Sequence, residues 1–154
     1  MSDANQGTQA AGGLRPRLGA IDPAAIARAE AALKNLSGNF ALWLADEISK
    51  LEAARARIDA EGRSQQTVEG LYLRAHDLKG LGTTYEYPLV TRIAASLCKL
   101  IGGAEGRMSA PLALIDAHIE AIATAVAARI QSDERPAGAA MAEDLERRVG
   151  ALHD

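Results

Sequence analysis

The sequence predicts an all-α protein, on three observations. Apolar residues make up 48% of the chain and aromatic residues only 3%, a composition that suits close helix packing better than a sheet rich in aromatic side chains. Several segments repeat apolar residues at three- and four-residue steps, which is the helical period. No segment alternates apolar and polar residues as a half-buried strand does. The 154 residues are enough for one domain with a single core.

The N-terminal region predicts a tail followed by a short helix. Residues 1–20 are small, polar and glycine-rich, and we expect them to form a disordered tail. Asp22 and Pro23 supply an N-cap and a proline at the first helical position, which predicts a helix over residues 24–36. The Ser-Gly pair at residues 37–38 is expected to end this helix.

Four longer segments predict the body of the fold. Each carries an apolar stripe of helical period and is bounded by capping residues, prolines or glycines. The segments are residues 39–61, 64–82, 88–102 and 110–132. Because short loops join them, we predict an up-and-down antiparallel four-helix bundle. The predicted bundle domain covers residues 21–135, with its core at roughly 39–132.

A final helix is predicted after Pro136, over residues 139–152. Its apolar stripe is weak and contains Met141, Leu145 and Val149. Such a stripe can pack on the edge of a bundle or pair with a partner. The predicted fold is therefore a four-helix bundle with an extra N-terminal helix and a C-terminal helix, the latter within residues 136–154.

Composition also argues against several classes of function. The net charge of -3 is spread along the chain, and no concentrated basic face is available to bind nucleic acid. No apolar run is long enough for a membrane span or a signal peptide. Cys98 is the only cysteine, so an internal disulfide is impossible and a cytoplasmic location is expected. Three scattered histidines predict no metal site, and no phosphate-binding glycine loop is present.

The stretch LYLRAHDLKGLGTTYEYP, residues 71–88, contains the candidate chemistry. At 100° per residue the apolar stripe centres near Ala75, and His76 falls on the shoulder between core and solvent. Lys79 places an ammonium about one turn from the imidazole, and Gly80 leaves a bare spot beside the ring. A glycine there costs about 1 kcal/mol in helix propensity, so it needs a reason, and access to the imidazole is one. An imidazole can carry a phosphoryl group and pass it to a carboxylate.

The run His76-Asp77-Leu78-Lys79-Gly80 resembles the HxLKG signature of histidine phosphotransfer domains, which are monomeric helical bundles of bacterial phosphorelays. The resemblance covers about residues 39–132. It implies that His76 is the phosphoacceptor, that Lys79 supports the phosphoryl group and that Gly80 gives access. It also implies response-regulator receiver domains and a hybrid histidine kinase as partners. The chain would then be a monomer without a cofactor of its own, because the receiver supplies the Mg²⁺.

A docking face for the receiver is expected around the same helix. Its residues would be Tyr72, Leu73, Lys79, Gly80 and Thr83, a mostly apolar surface with a polar edge. Such a surface suits a transient partner.

The turn after the histidine helix departs from the family pattern. Many members have a glycine there, whereas this chain has Tyr85-Glu86-Tyr87. Gly82 is the candidate for ending the helix in its place. Glu86 would bring a negative charge near a phosphoryl group or contact a partner.

Two alternative functions fit the same residues. His-Asp-Leu-Lys also resembles the phosphoacceptor box of dimeric histidine kinases, which would make the chain a dimerising phosphotransferase without an ATP-binding domain. A non-catalytic helical adaptor that binds a receiver is the other alternative. Among the remaining candidates, we interpret His118 as a partly buried helix residue, Cys98 as a small core residue and Trp43 as a packing residue.

Overall fold

The computed structural model describes residues 22–153 as six helices without any strand. The helices are α1 (Pro23–Glu61), α2 (Gln65–Thr84), α3 (Pro88–Ile101), α4 (Ala104–Ser109), α5 (Leu112–Ala127) and α6 (Pro136–Ala151). The all-α prediction is confirmed. Within this part of the chain, no helix combines the length and the hydropathy of a membrane span.

Helix α1 is continuous, so the predicted break at Ser37 and Gly38 is wrong. A Cβ added at Gly38 would meet nothing, and the glycine costs only about 1 kcal/mol of helix propensity within a long helix. The described residues nevertheless divide into two units, with the boundary between Leu36 and Ser37. In the described part of the first unit, Ala24 N donates to the side chain of Asp22 at 3.1 Å, as a cap does. The predicted tail, residues 1–20, lies outside the described residues.

The second unit is built around a four-helix bundle formed by residues 37–61 of α1 together with α2, α3 and α5. Helix α1 runs antiparallel to both of its neighbours. Near the start of this segment, the ring of Phe40 lies 5.4 Å from the ring of Tyr85, which follows α2. Near its end, Arg55 Nε donates to Asp116 Oδ1 of α5 at 2.6 Å.

Helix α3 is antiparallel to the other two bundle helices, α2 and α5. Its first turn lies against the end of α2, where Thr91 Oγ1 donates to the carbonyl oxygen of Lys79 at 2.9 Å. At its start, Leu89 N donates to the carbonyl oxygen of Gln131, just after the end of α5, at 2.9 Å, and in its middle Ser96 Oγ lies 2.9 Å from Nε2 of His118. The four helices therefore close on themselves within one chain, which is the predicted up-and-down arrangement.

The core is aliphatic and draws on all four bundle helices. Its largest fully buried aliphatic side chains are Leu44, Leu51, Leu71, Leu78, Leu89, Ile93, Leu97, Ile101, Ile115 and Ile122. Burying each such side chain contributes about 1.5–3 kcal/mol relative to leaving it exposed. This burial fixes which face of α2 points outward.

Helix α2 begins directly after Ser64, the first residue of the predicted segment 64–82, and Ser64 is its N-cap. Ser64 Oγ accepts from Thr67 N at 3.0 Å, and Thr67 Oγ1 accepts from Ser64 N at 2.9 Å, so the two residues form a capping box. This pair satisfies two backbone donors that would otherwise lack partners at the start of the helix.

The end of α2 differs from the prediction, because Gly82 does not end the helix. The helix continues to Thr84, and Gly82 instead allows α3 to approach closely. A Cβ at Gly82 would lie 2.6 Å from Thr91 N and 2.9 Å from the carbonyl oxygen of Tyr87, closer than real Cβ contacts. The turn to α3 is made by Glu86, whose φ of 65° is in the left-handed region that favours glycine.

The later helices follow the sequence with two differences. Helix α3 begins at Pro88 and ends at Ile101, before the glycine pair at residues 102–103, as predicted. The short helix α4 was not predicted. Helix α5 ends at Ala127, five residues earlier than expected, and Arg129 beyond it has a φ of 57°.

Helix α6 packs on the edge of the bundle, which settles one of the two possibilities for the C-terminal segment. Leu145 and Val149 of the predicted stripe are buried. On its outer side, Glu146 accepts two hydrogen bonds from Arg92 of α3, at 2.8 and 2.6 Å. The apolar stripe is thus covered by this chain itself.

Candidate functional site

His76 lies on the exposed side of α2, next to the buried Ala75. Its imidazole forms no hydrogen bond with any residue of the range 22–153. Within this range, the histidine side chain that does form hydrogen bonds is that of His118. The nearest aromatic ring is that of Tyr72, one turn earlier, with its centroid 6.1 Å away. His76 is thus an exposed histidine whose imidazole has no hydrogen-bond partner among the described residues.

Lys79 is exposed and lies on the side of His76 that faces α3. Tyr72 is two turns earlier on the same side of α2, and its ring would lie 3.4 Å from a Cβ built on Gly102, directly after the end of α3. No described acidic side chain forms an ion pair with Lys79. Its charge is thus available to an anion bound near the imidazole.

Gly80 leaves open space beside His76. A Cβ built on it would meet no atom within 4 Å, so packing does not require a glycine at this position. A residue with a side chain would also improve the helix by up to about 1 kcal/mol. The glycine therefore contributes nothing to the stability of the isolated fold.

The other residues of the expected docking face lie near His76 on the same helix. Leu73 and Thr83 are exposed, Leu73 at 54%. Tyr72 is half-buried beneath Arg107 of α4, whose guanidinium carbon lies 5.4 Å from the ring centroid. Tyr72, His76, Lys79 and Thr83 follow one another at steps of four, three and four residues, so they form one stripe along α2.

Thr91 fixes the backbone of this region and was missed by the sequence reasoning. Its Oγ1 donates to the carbonyl oxygen of Lys79 at 2.9 Å and accepts from the backbone N–H of Thr83 at 2.8 Å. In a regular α-helix, the N–H of Thr83 would donate directly to the carbonyl oxygen of Lys79, four residues earlier. A threonine among the apolar residues of α3 was the signal that could have indicated a contact with the helix before it.

An open depression of about 480 Å³ lies between α1 and α2 and contains His76. Its lining includes Glu47 and Lys50 of α1 and Arg74, His76, Asp77 and Gly80 of α2. The sequence reasoning missed Glu47 and Lys50, because nothing in α1 indicates which of its polar residues faces α2. The site therefore draws on two helices rather than on one.

The charged side chains that line the depression occur in pairs of opposite sign. Lys50 Nζ lies 3.0 Å from Glu47 Oε1, and this hydrogen bond raises the pKa of the ammonium above its ordinary value. Arg74 and Asp77 approach to 3.9 Å. Lys50 and Arg74, the two cations that line the depression, thus each have a carboxylate neighbour in the unphosphorylated protein.

His118 is fully buried, so its interpretation as partly buried is wrong. Its Nδ1 donates to the carbonyl oxygen of Leu114 at 2.7 Å, which leaves Nε2 to accept from Ser96 Oγ. Burial lowers the pKa of His118 and keeps the ring neutral. It is a structural residue of the core and has no access to a partner.

Two other side chains have the environments expected of packing residues. Cys98 is only 8% exposed and lies in the core, as predicted. Trp43 packs against Phe40 and Tyr85, with ring centroids 5.8 and 5.5 Å away, while 46% of it stays exposed.

Comparison with known proteins gives no family for the chain. No protein-family model matches it, and no curated protein or solved structure matches it. Among the described residues, no three His, Cys, Asp or Glu side chains are close enough together to hold a metal ion.

Proposed function

We propose that the protein is a histidine phosphotransfer module. His76 accepts a phosphoryl group from the phosphoaspartate of one receiver domain and donates it to the aspartate of another. The observation that carries this proposal is the exposed imidazole of His76, which forms no hydrogen bond with any residue of the described range 22–153. It lies between the exposed ammonium of Lys79 and the open space at Gly80.

The transfer requires only a nucleophile, a cation and room. A lone pair on a ring nitrogen of His76 attacks phosphorus, the N–P bond forms and the P–O bond to the aspartate breaks, so the aspartate leaves as a carboxylate. The other ring nitrogen releases its proton to solvent. Lys79 offsets the negative charge of the phosphoryl oxygens. The reverse steps return the group to a second aspartate, and the receiver supplies the Mg²⁺ for both.

The arrangement of the bundle supports a relay module over a dimeric kinase-like protein. Four helices of one chain bury a common aliphatic core, whereas a kinase-like dimer would need two helices from each of two chains. Sedimentation velocity tests this point. We expect a monomer, and a tight dimer would favour the kinase-like alternative.

Radiolabelled phosphoryl transfer tests the function itself. Receiver domains charged with labelled acetyl phosphate are mixed with the wild-type protein and with His76→Gln. We expect an acid-labile, base-stable label on the wild type and none on the variant. If the wild type takes up no label but still binds receivers, and binding survives His76→Ala, the protein is an adaptor. A label that persists on His76→Gln contradicts the assignment of the phosphoacceptor.

A further inference from the structure

The side of His76 that faces α1 carries a cation of its own. Lys79 is on the side of α2 that faces α3 and does not line the depression, whereas Lys50 of α1 lines it together with His76. Lys50 reaches this position from a different helix, 26 residues earlier in the chain, so no spacing rule within α2 includes it. The imidazole is thus flanked by ammonium groups from two helices.

Lys50 is held by weak, exchangeable partners. Its Nζ lies 3.0 Å from Glu47 and 3.5 Å from Asp46, and its side chain is 43% exposed. Exposed ion pairs of this kind contribute little to stability, because water competes for both charges. An ammonium has three donors and a flexible four-carbon stem, so it can leave one carboxylate for a stronger acceptor nearby.

A phosphoryl group on His76 would be that acceptor. It has three terminal oxygens and more negative charge than a carboxylate. Hydrogen bonds between ionised partners are roughly twice as strong as neutral ones. The depression offers about 480 Å³, which is ample for a PO₃ group.

We propose that the depression between α1 and α2 is the seat of the phosphoryl group on His76, and that Lys50 exchanges Glu47 for the phosphoryl oxygens when His76 is modified. This inference rests on the proposed function. Glu47 competes for the ammonium in the unmodified protein, so Lys50 and Glu47 act on the phosphorylated form in opposite directions. Arg74 and Asp77 are the other charged pair in the depression. Arg74 stabilises the phosphorylated form as Lys50 does, but more weakly, and Asp77 opposes it as Glu47 does.

Phosphoramidate tests the inference without a partner protein, since it is a small donor that needs no docking face. The N–P bond to His76 forms as the P–N bond of phosphoramidate breaks, and ammonia leaves. The rate of uptake is followed by ³¹P NMR, and the half-life of the phosphohistidine is measured after the donor is removed. Variants are Lys50→Met, Lys50→Arg, Glu47→Gln and the control Lys99→Met, which removes an exposed cation of α3 outside the depression.

We expect Lys50→Met to slow uptake by about three- to tenfold, the range for losing one partly exposed charge-assisted hydrogen bond. Glu47→Gln should speed uptake, Lys50→Arg should retain most of the wild-type rate, and Lys99→Met should change little. The ³¹P resonance should also titrate at higher pH in Lys50→Met, because the phosphoryl group loses a neighbouring cation. A general disturbance of α1 would not give opposite signs at residues 47 and 50.

The outcomes distinguish this inference from the proposed function. If the wild type is labelled on His76 but Lys50→Met behaves like Lys99→Met, the role of Lys50 is overturned and phosphotransfer stands. The same holds if Glu47→Gln slows uptake as Lys50→Met does. If His76 of the wild type takes up no phosphoryl group from phosphoramidate or from receivers, both proposals are wrong.

Discussion

Replacing Gly80 with alanine separates the stability of α2 from access to His76. Gly80 is exposed within the helix, and the new Cβ would meet no atom within 4 Å. The substitution therefore adds helix propensity without a steric cost, and we expect the free energy of unfolding to rise by about 0.5–1 kcal/mol. With a urea m-value of roughly 1–3 kcal/mol/M, the midpoint should rise by a few tenths molar.

Phosphotransfer should respond in the opposite direction. A methyl group at position 80 stands one helical turn from the imidazole and narrows the approach of a receiver, and Gly80→Gln fills the space further. We expect transfer from a phosphorylated receiver to slow by about tenfold in Gly80→Ala, equivalent to about 1.4 kcal/mol in the barrier. Uptake from the smaller phosphoramidate should be affected less.

Gly70 provides a matched control on the same helix. Its Cβ would also meet nothing within 4 Å, so Gly70→Ala should stabilise α2 by a similar amount and leave transfer unchanged. Equal transfer rates in the two alanine variants would refute the idea that Gly80 is there for access. A loss of stability in Gly80→Ala would contradict the open space that surrounds position 80.

Three further predictions concern the frame around the site, and urea denaturation checks each of them. Gly82→Ala should destabilise the protein by about 1–3 kcal/mol, because the new Cβ would press on Thr91; an unchanged midpoint would contradict the close approach of α2 and α3. Glu86→Gly should stabilise it by roughly 0.5–1 kcal/mol by relieving a left-handed backbone, and a loss of stability would instead indicate a favourable contact of the carboxylate. Because burial lowers the pKa of His118, the unfolded chain binds a proton below about pH 6.5 that the folded chain does not, so stability should fall as the pH decreases from 6.5 and level off above it. His118→Gln should remove that part of the pH dependence, and identical slopes in the two proteins would show that another group is responsible.

The bundle could be predicted because its signals are local and repeated. Apolar stripes of helical period, the cap at Ser64 and the proline at residue 88 each define a helix or its start without reference to the rest of the chain. The predicted break at residues 37–38 failed for the converse reason. A serine and a glycine only lower helix propensity, and the strong helix formers on both sides keep the helix continuous.

The candidate site could be predicted only as far as α2 extends. His76, Lys79 and Gly80 share one face by helical geometry, so their proximity follows from spacing alone. Lys50 and Thr91 reach the same region from α1 and α3. Their positions depend on the register between packed helices, which the core side chains set and which no spacing in one segment encodes. Gly82 was misjudged for this reason too, because only the packed structure shows α3 against it.

The chain contains a single tryptophan, and its position makes it a built-in fluorescent reporter. Trp43 precedes Glu47 by one turn of α1, and about half of its indole is accessible to solvent. Emission from an indole shifts to shorter wavelength when water around it is replaced by protein. A receiver that covers this end of the depression would therefore shift the emission of Trp43 to shorter wavelength. Stopped-flow mixing with a tryptophan-free receiver would then give association and dissociation rates without any attached dye.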